Sequence, residues 1–130
     1  MGRETPMASL TMEMRRGTIV LCVLSLLDEP QYGYNLVSEL EKKGVSVDTN
    51  TLYPLLRRLS SQGLLQNEWD TTSSKPRKYY VLTDKGRDVR KAMCDEWQVL
   101  SEAIDRLIPG TDRGRPVRKS SKADKTGRKD

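Results

Sequence analysis

The chain has 130 residues, 35% hydrophobic and 32% charged, enough for one domain with a real core and an appended tail. Residues 1–110 hold 15 Lys/Arg and 15 Asp/Glu, while residues 111–130 hold 8 Lys/Arg and 3 Asp, so the whole net charge of +5 lies at the C-terminal end. No apolar run approaches the ~20 residues of a bilayer span, and any nucleic-acid argument for the domain must rest on local charge placement, not on the total.

Residues 1–11 lack periodicity and read as a flexible N-terminus. The first helix is expected from Glu13 to Leu27, apolar nearly all round, and Pro30 blocks its continuation. A second helix starts near Tyr32-Gly33-Tyr34, with Leu36, Val37 and Leu40 as its inner stripe and Gly44 as a left-handed cap. A third begins within Asp48–Thr51, where four capping residues stand together, and Leu52, Leu55, Leu56 and Leu59 form its inner face. Pro54 leaves its start open. A cap at Asp48 strands one carbonyl, whereas a cap at Asn50 or Thr51 loses little. Gly63 ends the helix, and strands over Leu64–Trp69 and Arg77–Leu82 flank a polar loop. Thr83 then caps a long helix over about Asp84 to Leu107, stopped by Pro109-Gly110.

This order defines a mainly α fold with a small β-hairpin: a winged helix-turn-helix plus a long C-terminal helix. It divides the chain into a flexible N-terminus (1–11), a winged DNA-binding domain (12–83), a dimerisation helix (84–108) and a basic disordered tail (109–130). On the third helix, Thr49, Asn50, Thr51, Tyr53, Arg57 and Arg58 form the candidate DNA face. Short polar side chains near a helix start suit base edges, and arginines suit phosphates or guanine. At the hairpin, Ser74, Lys75, Arg77 and Lys78 suit the backbone. Tyr79 and Tyr80 point to opposite faces of their strand, so one of them is expected in the core.

The long helix carries a seam of Val89, Met93, Trp97, Leu100, Ile104 and Leu107 in steps close to a coiled-coil rhythm. The seam suits a homodimer whose two reading helices meet a pseudo-palindrome with half-sites roughly 34 Å apart. Packing on the first helix is the rival use. Trp97 reads as an interface filler or as the wall of a pocket for a planar aromatic effector. Cys22 and Cys94 lie in apolar contexts without a Cys-x-x-Cys partner, and the chain has no His. Both read as buried thiols, with no metal, disulfide or cofactor expected. No charged-then-apolar leader opens the chain, and Pro6 stands where the myristoylation pattern needs Ser or Thr, so the expected compartment is the cytoplasm.

Five elements in order carry a family resemblance. They are Met14–Thr18 (MRRGT), Glu29–Tyr34 (EPQYGY), Asn50–Leu59 (NTLYPLLRRL), Gly63–Leu65 (GLL) and Pro76–Gly86 (PRKYYVLTDKG). With them the chain resembles the PadR-like transcriptional regulators. The resemblance implies a dimeric repressor whose winged domain binds operator DNA and whose C-terminal helix dimerises. The single C-terminal helix looks like the smaller subclass, in whose multidrug-sensing members a tryptophan lines a pore at the dimer interface. Trp97 falls in a comparable place. The family pattern usually has Gly at the position of Asn50 and an acidic residue at that of Ser60.

Enzymatic chemistry is the weaker rival, because there is no His and no clustered Asp/Glu on an apolar wall. The stronger rival is a winged module that binds a protein without operator specificity. If the charged tail acts by counterion release, deleting residues 111–130 should lower affinity for all duplexes alike and flatten the salt dependence. A salt titration of the truncated chain checks this, and loss of sequence preference alone would contradict it.

Overall fold

The computed structural model describes residues 5–112. Helix α1 (Pro6–Leu26) opens on Thr5, whose Oγ1 accepts the Ala8 amide at 3.1 Å, with Pro6 in the first turn. The helix therefore begins seven residues before Glu13, and residues 6–11 are helical rather than loose. The expectation for residues 1–4 lies outside the described residues. The first half of α1 is exposed through Gly17, so amphipathic periodicity is absent there, yet Met, Leu and Ala carry good helix propensity. Burial starts beyond it and is complete at Val23, Leu24 and Leu27.

A strand of two residues follows, β1 (Gln31–Tyr32), which the sequence did not suggest. Helix α2 (Gly33–Lys42) ends in a Schellman cap: Gly44 has φ +92°, its amide reaches Glu41 O and the Val45 amide reaches Leu40 O. Helix α3 (Thr49–Ser61) settles the open start. Asp48 is the cap, its Oδ1 accepting the Thr51 amide at 2.9 Å. Pro54 thus falls inside the helix, and the Asn50 carbonyl loses its intrahelical donor. Asn50 is exposed, so water can serve that carbonyl. The same Schellman geometry ends α3 at Gly63, with φ +80°.

Strands β2 (Leu65–Asp70) and β3 (Arg77–Leu82) pair antiparallel, and β1 adds to the other side of β3, giving a three-stranded sheet in the order β1-β3-β2. The core collects Val23 and Leu24 from α1 with Leu27 at its C-cap, Leu36 and Leu40 from α2, Leu52, Leu56 and Leu59 from α3, Leu64 just before β2, and Leu65, Tyr80 and Leu82 from the hairpin strands. Each fully buried leucine contributes about 1.5–3 kcal/mol of transfer free energy. Tyr80 is therefore the core tyrosine of the Tyr79/Tyr80 pair.

Helix α4 (Asp84–Leu107) is capped by Thr83, whose Oγ1 accepts the Gly86 amide at 2.9 Å and donates to Gly63 O at 2.7 Å. Chain contacts separate two units, Met1–Asp95 and Glu96–Asp130. In the first, Val89 and Met93 of α4 pack partly against the core, and Arg90 pairs with Asp28 at 2.7 Å. Cys22 is half-buried, but Cys94 is exposed, contrary to the expectation of two buried thiols. In the second unit, Trp97, Leu100, Ile104 and Leu107 are exposed. Gly110–Asp112 form a 3-10 turn where no structure was expected after Pro109, and residues 113–130 of the tail lie outside the described residues. Among the described residues, no helix is long and apolar enough to cross a membrane.

Gly86 is where α4 meets the start of the hairpin. A Cβ there would run into the Leu64 carbonyl and lie 2.9 Å from Leu82 Cδ2. Gly86→Ala should cost about 1–3 kcal/mol, an overpacking penalty exceeding the ~1 kcal/mol gained in helix propensity. Denaturant unfolding measures the difference. A neutral or stabilised variant would contradict the close approach.

Candidate nucleic-acid interface

The exposed side of α3 is the complement of its leucine stripe. Leu52, Leu56 and Leu59 are fully buried, which turns Thr49, Asn50, Thr51, Arg57 and Arg58 to solvent. Tyr53 is only half exposed. Its ring, with that of Tyr80, lies against Gly33, where an added Cβ would sit 3.2 Å from both rings. Part of Tyr53 therefore belongs to the packing between α2, α3 and the sheet.

Between α3 and the hairpin lies a groove of about 600 Å³. Arg57, Arg58, Ser60 and Ser61 line one wall, and Asn67, Lys78 and Tyr80 the other. Asn67 Nδ2 donates to Ser60 Oγ at 3.2 Å, tying the two walls together. Lys78 Nζ lies 5.6 Å from the Trp69 ring centroid and 5.8 Å from that of Tyr80, so two aromatic faces hold its ammonium at the groove. Three cations thus converge on one concave surface.

The hairpin register explains which residues share that surface. Leu65 faces Leu82, Asn67 faces Tyr80 and Trp69 faces Lys78, so these pairs lie on one side of the ribbon. Glu68 faces Tyr79 and Asp70 faces Arg77 on the other side. Arg77 therefore parts from Lys78, although the two are adjacent in sequence. Its Nη1 donates to the Tyr34 hydroxyl at 3.0 Å, and its guanidinium lies 4.9 Å from the Tyr32 ring centroid. Tyr32 and Tyr34 stack with centroids 5.5 Å apart, and Tyr32 donates its phenol proton to Asp70. The Arg77 Nε is buried without a hydrogen-bond partner among the described residues. Ser74 and Lys75 are exposed at the tip. The Asp70 carboxylate accepts the Thr72 amide and hydroxyl, and Ser73 Oγ donates to Lys75 O.

The sequence reading thus missed the cluster of Tyr32, Tyr34 and Asp70, and the groove residues Asn67, Ser60 and Tyr80. Strand alternation alone could have separated Arg77 from Lys78. Nothing in a two-residue strand could have announced where Tyr32 would land.

Three helices bearing an antiparallel hairpin, with a polar and basic strip on the third helix, define a winged-helix DNA-binding regulator. The sequence profile described as the transcriptional regulator PadR-like family matches residues 20–92. The chain is similar to the transcriptional regulator Rv3488 of Mycobacterium tuberculosis (strain ATCC 25618 / H37Rv), at 33% identity over 91 residues, 69% of this chain and 82% of that protein. It is similar to the crystal structure of a PadR family transcriptional regulator from Eggerthella lenta DSM 2243, with a TM-score of 0.74 and 50% identity over 80% of this chain and 93% of that one. The PadR-like transcriptional regulator BC4206 from Bacillus cereus strain ATCC 14579 gives a TM-score of 0.68 at 32% identity, over 75% of this chain and 98% of that one. The chain belongs to the PadR-like family of transcriptional regulators.

The cluster of Tyr32, Tyr34, Asp70 and Arg77 latches β1 to the loop end of the hairpin, and this latch has a pH signature. Hydrogen bonds from Tyr32, then from Thr72, with help from Arg77, lower the Asp70 pKa from 3.8 to about 2. The Tyr32 phenol is raised, chiefly by the same bond to Asp70. A depressed carboxyl stabilises the fold above its unfolded pKa, and that contribution is lost as pH falls through the folded one. Asp28, lowered by its bond to Arg90, acts in the same direction. Thermal melts of the wild type and Asp70→Asn should therefore differ at neutral pH and converge as pH falls from 3.8 to about 2. Parallel curves across that window would contradict the latch.

Proposed function

We propose that this chain is a homodimeric, sequence-specific DNA-binding regulator, acting in the cytoplasm as a repressor on a pseudo-palindromic operator and released by a small planar or aromatic effector. The observation that supports it best is the groove where Arg57, Arg58 and Lys78 converge beside the exposed strip of α3. In this reading Thr49, Asn50 and Thr51 reach base edges at the start of α3. Tyr53, Arg57 and Arg58 follow the adjoining phosphates, with Ser74, Lys75 and Lys78 on the hairpin. Arg77 is held by Tyr32 and Tyr34, so its role is to fix the hairpin from behind, with only a secondary reach to phosphate.

The dimer uses the seam of α4. Trp97, Leu100, Ile104 and Leu107 are all large, apolar and exposed, which suits coverage by a second copy. Val89 and Met93 continue the seam but already spend part of their surface on their own core. Trp97 is 46% exposed, leaving an indole face on which a planar effector could stack.

Arg57→Ala should weaken binding to a selected operator by about 1–3 kcal/mol, the scale of one strong base or phosphate contact. A gel-shift titration reads the change, with light scattering on the same sample expected to give a two-chain mass. Unchanged affinity removes Arg57 from the interface, and a one-chain mass at micromolar concentration removes the dimer. If the wild type binds no duplex but captures a protein, the family fold serves here as an interaction module.

A further inference from the structure

Trp69 is unexplained by the fold. It lies in β2 at the edge of the sheet, 60% exposed, while every other large side chain on its side of the ribbon turns inward towards the core or the groove. Its cross-strand partner is Lys78, whose ammonium stands 5.6 Å from the indole centroid and lines the basic groove. The indole is thus an apolar plate beside Lys78, one of the three cations that line the groove. A phosphate alone would need only the cations, and an apolar protein surface would not need them. The sugar–phosphate wall of a duplex presents both chemistries, with apolar deoxyribose faces between charged oxygens.

We propose that Trp69 is a DNA-contacting residue, which packs its ring on deoxyribose and donates from its indole N–H to the backbone, while Lys78 neutralises the neighbouring phosphate. This rests on the DNA-binding reading given above. The contact carries no charge of its own, so it adds affinity that salt does not screen. Lys78 and the arginines supply the part that salt does screen.

The test uses full-length protein labelled with 5-fluorotryptophan and a mixed-sequence duplex at low salt. Trp69→Phe assigns the two fluorine resonances, so Trp97 is left untouched. Saturating duplex should shift or broaden the Trp69 resonance. Trp69→Ala should lower affinity roughly tenfold, as for a desolvated aromatic anchor, without changing the salt slope. Lys78→Ala should instead lower the slope by about one. Trp69→Phe should keep part of the lost affinity, which also shows that the hairpin remains folded. An unmoved Trp69 resonance with affinity within about twofold overturns the proposal. So does a Trp69→Ala variant whose salt slope falls by about one, because the indole would then merely moor Lys78. In both cases wild-type binding leaves the DNA-binding reading standing, and only failure of the wild type to bind any duplex would sink both together.

Discussion

The arrangement of the candidate interface depends on one crowded junction. The end of α3, the start of β2, the end of β3 and the first turn of α4 meet within a few residues. The Thr83 hydroxyl donates to Gly63 O and accepts from the Gly86 amide, and the Thr83 amide donates to Leu64 O. Lys85 Nζ adds a bond to Gln62 O. Gly86 permits this because it has no Cβ to strike the Leu64 carbonyl. The carbonyls of Gln62, Gly63 and Leu64, in the turn that follows α3, are thereby satisfied by groups at the start of α4. The angle between α3 and the hairpin follows from this, and so does the width of the groove between them.

The second determinant is parity. Because side chains alternate along a strand, one residue of register decides whether a cation faces α3 or faces away. Lys78 joins Arg57 and Arg58. Arg77 joins Tyr32, Tyr34 and Asp70 on the other side, where it holds β1 to the hairpin. A sheet of two six-residue strands and one two-residue strand is small for independent stability. The aromatic and polar latch behind it offsets that weakness at the loop end of the hairpin, away from the core.

Much of this was legible in the sequence, for local reasons. The leucine stripe of α3, the glycines at 44 and 63, and the cap at Thr83 each encode their element within four or five residues. The strand Arg77–Leu82 was read with its observed bounds. What escaped depends on distance along the chain or on competition. β1 is too short to carry a period, and its pairing with β3 spans nearly fifty residues. The early start of α1 lies where solvent surrounds the helix, so hydrophobic periodicity has nothing to report. Asp48, Asn50 and Thr51 compete as caps by the same chemistry, and the Asp48 carboxylate is the one placed on the Thr51 amide. The basic cluster at the hairpin looked single because sequence proximity conceals parity.

Charge placement then follows from parity too. Residues 1–110 balance to zero, so long-range attraction to a polyanion is weak over the winged domain. The balance is not uniform, however. Glu68 and Asp70 lie on the face that holds Arg77, where their charge is spent on Tyr79, Tyr32 and Thr72. Arg57, Arg58 and Lys78 line the other side, and among the described residues no acidic side chain lines the groove with them. A neutral domain can thus present a positive strip by internal segregation of its charges. A surface of this kind gains little from long-range attraction and depends on close contact.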